Sequence, residues 1–404
     1  MLKTLLLATT VTLASATLAN AACPYEVTTP VKSLSAGFEA WKAVTDAMAE
    51  CGPLEAELDQ EFREKQPAAF AANPALYQLG GVANSTLVPL LNDGSIRPLD
   101  SLIEEFAPDL SDNLKITIDG QTMAIAMMVN AQHLMYREDI LADLGLETPE
   151  TYEDVLAAAE AIEAAGVVDY PLGGTLMPGF NLGMEFVNMY LGYGGSFFND
   201  DKTPAVNNET GVKALEMVKA LTAYMDPEYL VSDSTYVQQQ FQQNKIAMAN
   251  LWASRAGAMD DEAESQVVGK VQMAAAPSLE GGERPASTIW WDGFVIAANT
   301  TDEEAEAAFK LILGGLDSEM VQANNDKAVW LIEGYEPGRL AQGAAATAMG
   351  GAAPYPASTE MGIMLNAIGD NIADFLTGAA SVEDTLAKVE EAYTTGATEA
   401  GLLQ

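Results

Sequence analysis

Capped amphipathic helices alternate along this chain with short apolar runs, and this alternation constrains the fold more than any other feature of the sequence. The helices share a Ser, Thr or Asn cap before an apolar stripe at helical spacing. They are predicted over 151–166, 208–225 and 301–315 and from Ser381 onward. Apolar runs with strand character cover 122–129, 245–252 and 294–298. Strands that alternate with helices predict an α/β protein whose largely parallel sheets are covered on both faces.

The chain has 404 residues, which is too many for one ordinary hydrophobic core and enough for two domains. No internal repeat is present, which argues against an adhesive or structural envelope protein. We expect the Gly/Ala-rich segment 342–353 to form a mobile loop or linker, although its alanines also permit a helix.

Acidic residues dominate the charge of the chain. Lys and Arg total 19 against 58 Asp and Glu, which gives a formal net charge of −39. So acidic a surface repels phosphate backbones and anionic lipid headgroups, and this excludes nucleic-acid binding and membrane-surface docking as main activities. We interpret the acidity as a solubility feature of a saline or marine setting. Hydrophobic residues make up 49% of the chain, which excludes wholesale disorder.

The first 22 residues have the pattern of a secretory signal peptide. Lys3 supplies a positive start, 5–18 is an apolar run, and small residues at 19–21 suit cleavage. The run is too short for a membrane-spanning helix, which needs about 20 residues. We therefore expect a mature chain exported to the periplasm.

Cleavage would leave Cys23 at or beside the new N-terminus, and Cys51 is the other cysteine of the chain. In an oxidising compartment the two are expected to form a disulfide. A lipid anchor on Cys23 and two free thiols are the alternatives. Asn20 argues against the lipid anchor, because it stands where a lipoprotein signal has an aliphatic residue.

The sequence lacks the common catalytic motifs. The phosphate-loop, HExxH, GxSxG and CxxC patterns are absent from the sequence. His133 is the single histidine and stands among apolar neighbours, which favours a packed side chain over a catalytic base. Two cysteines cannot build a thiolate metal site, and pairs of carboxylates are expected by chance among 58 acidic residues. We expect no enzyme activity, no cofactor and no metal.

Tryptophans beside polar residues are more informative. Trp290 and Trp291 precede Asp292, Gly293 and a predicted strand, and adjacent strand residues point to opposite faces. One of the two indoles is therefore expected at a cleft. Trp252 ends another predicted strand and enters a polar loop. An indole in such a place suits stacking on the C–H face of a sugar ring or on a cation.

Several different short motifs follow one another in order between about residue 75 and residue 400. They include Leu99-Asp100, Asp119-Gly120-Gln121, Tyr136-Arg137-Glu138-Asp139-Ile140-Leu141, Gly145-Leu146-Glu147-Thr148-Pro149 and the closing segment 377–386. Each is weak alone, but the ordered set resembles the family 1 extracellular solute-binding proteins. These are the substrate-capturing subunits of carbohydrate ABC importers, a class that includes maltose- and glucose-binding proteins.

The resemblance implies a two-lobe periplasmic-binding-protein fold, type II-like, with a hinged interlobe cleft that holds the ligand. Lobe 1 is expected to comprise 24–128 and 298–345, and lobe 2 to comprise 129–292 and 350–404. It also implies a protein that captures a mono- or oligosaccharide and delivers it to membrane-embedded ABC permease subunits. We expect it to act as a monomer.

The resemblance further implies a set of ligand-binding residues. Trp252 matches a tryptophan that stacks on sugar from lobe 2. The stretch before the second crossover between lobes is expected to contact ligand through Trp290, Trp291, Asp292 and Gly293. The remaining candidates are Glu39, Gln78, Asn84, Gln132, Asn181 and Glu185.

Two alternative functions stay open at the level of sequence. The same fold could bind a small cation such as a betaine or a polyamine, since tryptophan and carboxylate suit both kinds of guest. Several aromatic rings enclosing the guest would favour that alternative. A secreted glycoside hydrolase would instead need two carboxylates about 5–10 Å apart across the cleft.

Overall fold

The computed structural model describes residues 23–280 and 284–403. The predicted signal peptide at 1–22 lies outside the described residues. Within them, no helix is both long and apolar enough to cross a membrane.

Strands and helices alternate along the described chain. The strands are β1 (Val31–Ser35), β2 (Leu54–Leu58), β3 (Leu79–Ala83), β4 (Lys115–Ile118), β5 (Gln121–Asn130), β6 (Gln132–Arg137), β7 (Tyr170–Gly173), β8 (Ile246–Trp252), β9 (Val271–Ala274), β10 (Thr288–Ile296), β11 (Val329–Trp330) and β12 (Ala353–Pro354). The helices are α1 (Glu39–Cys51), α2 (Phe62–Ala71), α3 (Asn84–Asn92), α4 (Asp100–Phe106), α5 (Glu138–Leu144), α6 (Tyr152–Ala165), α7 (Phe180–Gly192), α8 (Glu209–Thr222), α9 (Ser234–Gln242), α10 (Asp302–Gly315), α11 (Ser318–Ala323), α12 (Gln342–Met349), α13 (Thr359–Asn371), α14 (Ala373–Leu376) and α15 (Val382–Glu399).

The strands form two sheets. The larger sheet has the order β11-β5-β10-β3-β1-β2, with β4 paired to β5 and β12 paired to β10. The smaller sheet has the order β7-β8-β6-β9. A single residue, Ala131, separates β5 in the first sheet from β6 in the second. The chain therefore crosses between the sheets with almost no connecting loop.

Both sheets are mixed, so the expectation of largely parallel sheets is wrong. In the larger sheet β1 runs parallel to β2 and β3, but β10 is antiparallel to both β3 and β5. In the smaller sheet β7 and β8 are parallel, whereas β6 is antiparallel to β8 and β9. A strand buried on both faces has the same apolar sequence in either orientation, and the pattern therefore does not reveal strand direction.

The elements predicted from caps and apolar runs are confirmed. The Thr151 hydroxyl accepts the Asp154 N–H at 3.0 Å where α6 begins, and α6 ends at Gly166, which adopts a left-handed conformation with φ 62°. Likewise α8, α10 and α15 follow their expected caps. The predicted strand at 294–298 overlaps the end of β10, which begins six residues earlier and ends at Ile296.

The segment 342–353 is the exception among these expectations. Residues Gln342–Met349 form α12, which packs against β6 and β9 of the smaller sheet. A mobile loop is therefore the wrong description for most of it. Alanine has the highest helix propensity, and once Ala344 and Thr347 are buried against the sheet the helix is the stable form.

Helices cover the two sheets and enclose separate cores. Over the larger sheet α1 and α10 pack together, around Trp41, Phe294 and Phe309. Beside the smaller sheet α7 packs against α8 and α13, and α13 packs against α15. Full burial of one large apolar side chain stabilises the folded state by roughly 1.5–3 kcal/mol. Each core buries many such side chains and therefore stabilises its own half of the protein.

The expected disulfide between Cys23 and Cys51 is confirmed. Their Cα atoms lie 5.4 Å apart, and the bond joins the first described residue to the last residue of α1. Because its sulfur is used in this bond, Cys23 is neither a free thiol nor a lipid attachment site.

Candidate functional site

A cleft of about 470 Å³ lies between the two sheets. On the larger-sheet side it is lined by residues 60–64 at the start of α2, by Ala83 and by Asp292 of β10. The smaller-sheet side contributes residues 177–181 at the start of α7, Asp233 and Ser234 at α9, and Trp252, Ser254 and Arg255. Its volume lies within the range typical of small-molecule sites.

Three aromatic side chains form one wall of this cleft. Trp252 at the end of β8 and Trp290 of β10 meet edge to face, with ring centroids 5.6 Å apart. Phe180 at the start of α7 lies edge to face with Trp290 at 5.7 Å and nearly parallel to Trp252 at 6.5 Å. Trp252 is 9% exposed and Trp290 is 3% exposed, so each offers a limited apolar surface to the cleft.

Strand alternation decides which of the adjacent tryptophans reaches the cleft. Trp290 and Asp292 stand on one face of β10 and line the cleft. The Trp290 indole N–H donates to the Thr288 hydroxyl at 2.8 Å, which holds the ring in place. Trp291 points to the opposite face, where it packs against a core cluster that includes Val82 and Leu90. The expectation that Trp291 contacts ligand therefore does not match its position.

Asp292 is a buried carboxyl group in the cleft wall. It is 7% exposed, and burial raises its pKa to about 7, although the nearby Arg63 charge acts in the opposite direction. The Arg63 guanidinium in turn lies 4.1 Å from the centre of the Phe180 ring. This contact joins the two sides of the cleft, because Arg63 belongs to α2 and Phe180 to α7.

Arg255 lies across the cleft in the segment that follows β8. Its guanidinium donates to Gln238 Oε1 at 3.2 Å and to the Ser234 hydroxyl at 3.0 Å. Burial lowers the pKa of Arg255, and the charges of Asp233 and Glu39 oppose that change. Glu39, an expected ligand contact, is exposed at the start of α1 and does not line the cleft. Its negative charge acts on Arg255 from a distance.

Three further expected contacts are structural in position. Gln78, which directly precedes β3, accepts the Lys32 N–H of the neighbouring strand β1 at 2.9 Å. Asn84 accepts the Trp291 N–H at 2.8 Å and so ties α3 to β10. A Cβ atom at Gly293 would lie 2.2 Å from the Ile125 carbonyl oxygen. Glycine is needed there for the close approach of β5 rather than for contact with a ligand.

Gln132 and Glu185 belong to a buried polar network behind the aromatic wall. The Gln132 amide donates to Glu185 Oε1 at 3.2 Å, and the Thr175 hydroxyl donates to the same oxygen. Asn188 donates to Gln132 and accepts from the Thr288 hydroxyl at 3.1 Å. Since Thr288 also accepts the Trp290 indole N–H, this network supports the cleft from behind. Asn181, by contrast, lines the cleft itself.

Burial raises the pKa of Glu185 to about 7, although its hydrogen bonds from Thr175 and Gln132 act in the opposite direction. His133 is also buried, as the sequence indicated. Its Nδ1 lies 3.4 Å from the Leu134 carbonyl oxygen, and burial lowers its pKa to about 4. Neither side chain lines the cleft.

Most of the residues that line the cleft were not predicted from the sequence, and Phe180, Arg63 and Arg255 are the most prominent among them. Phe180 adjoins Asn181 in a Gly-rich segment that was already a candidate, and Arg255 follows Trp252 by three positions. Arg63 stands in a charged stretch between Asp59 and Lys65, where nothing separates it from ordinary surface residues. Within the described part of the chain, no group of three His, Cys, Asp or Glu side chains is arranged to hold a metal ion.

Two α/β halves with separate cores and a lined cleft between them define a two-lobe ligand-binding protein of the periplasmic-binding-protein fold. The chain belongs to the bacterial extracellular solute-binding protein family, whose sequence profile matches residues 59–314.

One sequence relative and two solved structures of the same fold illustrate what the chain is similar to. A "Probable ABC transporter-binding protein" of Deinococcus radiodurans is 25% identical over 301 residues, which is 69% of each chain. A solute-binding protein of Agrobacterium radiobacter K84 in complex with ribitol superposes with a TM-score of 0.80 at 22% identity, over 92% of this chain and 99% of that one. A solute-binding protein of Agrobacterium vitis S4 with bound D-mannitol gives a TM-score of 0.78 at 18% identity, over 92% and 99%.

Proposed function

We propose that this protein captures a sugar or a sugar-like polyol in its cleft. The aromatic wall formed by Trp252, Trp290 and Phe180 is the observation that carries the proposal. It offers apolar ring surface next to the polar side chains of Asn181 and Ser254, and this combination suits a guest with C–H faces and hydroxyl groups. Relatives of the same fold hold ribitol and D-mannitol, which supports this class of guest.

A cationic guest suits the cleft less well. The Phe180 ring is already covered by the Arg63 guanidinium at 4.1 Å, so that face is occupied by a cation of the protein itself. Arg255 places a second positive charge in the same cleft. Both charges repel a polyamine, or the quaternary ammonium group of a betaine, at short range.

We further propose how the lobes move, where the protein works and to which partner it passes the guest. The proposed lobes comprise 24–128 plus 298–345 and 129–292 plus 350–404, except that α12 at 342–349 packs on β6 and β9 and therefore belongs with the second lobe. We propose that they close over the guest by a hinge motion near Ala131 and β10. We infer that the protein works in the periplasm, acts as a monomer and hands the guest unaltered to the permease subunits of an ABC importer. The relative described as transporter-binding supports this partner.

Isothermal titration against a panel of sugars and polyols tests the proposal. We expect saturable binding in the micromolar range, about −8 kcal/mol. Trp252→Ala removes part of the aromatic wall and should weaken binding about tenfold or more. Trp291→Ala is the matched control, because that indole faces away from the cleft, and it should bind nearly as the unaltered protein does. Binding only to non-carbohydrate solutes would contradict the proposal.

A further inference from the structure

We propose that the guest is an acidic sugar, and that Arg63 and Arg255 form the part of the cleft that binds its carboxylate. This inference rests on the proposed function and narrows its substrate class. It starts from two guanidinium groups that line one cleft from opposite sides and have no carboxylate within 4.0 Å among the described residues.

Arg255 is held in place by neutral partners. Its two terminal nitrogens each donate one hydrogen bond, to Gln238 and to Ser234. A guanidinium has five N–H donors, so three remain for other acceptors. The neutral contacts fix the orientation of the group without compensating its charge.

Arg63 is held by aromatic rings instead. Its guanidinium lies 4.9 Å from the centre of the Phe62 ring and 4.1 Å from that of Phe180. Its Nε atom is buried without a hydrogen-bond partner in the described structure. Leaving such a donor unpaired in the interior is costly, and an acceptor on the guest would remove that cost.

The acidic residues of the cleft do not provide the missing partner. Glu61 and Glu64 are exposed at its rim, and Asp233 caps α9 by accepting the Tyr236 N–H at 2.7 Å. Asp292 is buried, and since burial raises its pKa to about 7, it carries only part of its charge at neutral pH. Neither guanidinium group therefore forms an ion pair with a carboxylate of the described cleft lining, and both keep N–H donors that a guest can use.

A carboxylate on the guest fits this arrangement by geometry and by charge. The planar guanidinium donates two parallel hydrogen bonds to the two oxygens of a carboxylate, and such charge-assisted bonds are among the strongest available to a protein. The net charge of −39 on the whole chain does not prevent this, because charges beyond about 8 Å are largely screened at physiological salt.

Isothermal titration at 0.15 M salt with matched pairs of neutral and acidic guests tests the inference. The pairs are D-glucose with D-glucuronate, D-galactose with D-galacturonate, and sorbitol with D-gluconate. We expect at least one acidic member to bind ten times more tightly than its neutral partner. Preference for the neutral member in every pair that binds would overturn this inference and leave the proposed function standing. No binding by either member of any pair would count against both.

Replacing each arginine tests whether that side chain causes the preference for the acidic guest. Arg63→Gln and Arg255→Gln should each reduce the ratio of acidic to neutral affinity about tenfold, whereas a variant that merely folds poorly loses both affinities together. Arg97→Gln is the matched control, since Arg97 pairs with Asp302 at the start of α10 and neither residue lines the cleft. An unchanged ratio in both cleft variants would overturn the inference, and so would tight binding of D-glucose 6-phosphate without any binding of the carboxylates.

Discussion

At the scale of single residues, the most consequential feature is a carboxyl group enclosed behind the cleft. Glu185 is 7% exposed and accepts hydrogen bonds from Thr175 and Gln132, but has no ion-pair partner among the described residues. Burial without a positive partner favours the protonated form and raises its pKa from 4.5 to about 7. The folded state therefore binds this proton more tightly than the unfolded chain does.

Replacement of Glu185 by Gln should stabilise the protein at high pH. Below about pH 4.5 the Glu185 carboxyl is protonated in both the folded and the unfolded state, and it does not lower the free energy of unfolding. As the pH rises to about 7, it lowers the free energy of unfolding progressively. At 1.4 kcal/mol per unit of pKa shift, the full cost is about 3 kcal/mol. Urea unfolding should show the Glu185→Gln variant more stable than the unaltered protein by up to that amount at pH 8 and about equal to it at pH 4.

Glu160→Gln is the control for this measurement. Glu160 lies exposed on α6, and its replacement tests whether loss of any acidic side chain, rather than of the buried one, changes the free energy of unfolding. Asp292 also titrates near neutral pH, but it is present in every variant and cancels in the difference. Equal pH profiles for the Glu185→Gln variant and the unaltered protein would contradict the prediction.

At the scale of elements, the disulfide anchors the N-terminal segment to α1. Cys51 is the last residue of that helix, and α10 packs closely on it, since a Cβ atom added at Gly314 would lie 2.6 Å from the Cys51 sulfur. The bond closes a loop with a sequence separation of 28 residues.

Reduction of this disulfide should lower the free energy of unfolding by about 3–4 kcal/mol, on the model in which the bond restricts the unfolded chain. Urea unfolding with and without a thiol reductant measures the difference. The Cys23→Ser, Cys51→Ser double variant should be as unstable as the reduced protein and insensitive to the reductant. Two reactive thiols in the purified mature protein under oxidising conditions would instead contradict the bond.

At the scale of the whole molecule, a few contacts bridge the two halves beyond the cleft. The Asn92 amide at the end of α3 donates to the Thr359 hydroxyl of α13 at 2.6 Å. Helix α3 lies by the larger sheet, and α13 packs with α7 beside the smaller one. On the proposed function, such a contact favours the closed shape that retains the guest.

Removal of the hydrogen bond between Asn92 and Thr359 should weaken binding of the guest, because the closed shape of the two halves becomes less stable. Asn92→Ala and Thr359→Ala are each expected to reduce the affinity two- to tenfold, because a hydrogen bond of this kind contributes about 0.5–1.5 kcal/mol. The double variant should be no weaker than either single one, since both lose the same bond. Asn113→Ala is the control, because Asn113 bonds the Leu331 carbonyl within the larger-sheet half. Additive losses would show that the two residues act separately.

Much of the fold could be predicted because it is encoded locally. The caps at Thr151 and Thr301 act through backbone groups three residues away, and the apolar stripes of α8 and α15 record which face is buried. Ordered motifs were enough to indicate the solute-binding family and its two lobes. Strand direction in the sheets and the helical state of 342–349 were not predictable, since both depend on contacts with distant segments.

The sequence by itself determined the α/β class, the paired cysteines, the buried His133 and the presence of a tryptophan at a cleft. The buried His133 and the tryptophan at a cleft follow from residue type and near neighbours, and the α/β class follows from the alternation of such local patterns along the chain. The disulfide was favoured over its alternatives because the sequence predicts an exported chain with two cysteines. Only the tertiary structure decided that Trp290 rather than Trp291 faces the cleft, and that Arg63 meets Phe180 there. The physical reason is that residues more than 100 positions apart share this surface, and their approach depends on how two sheets pack rather than on any local pattern.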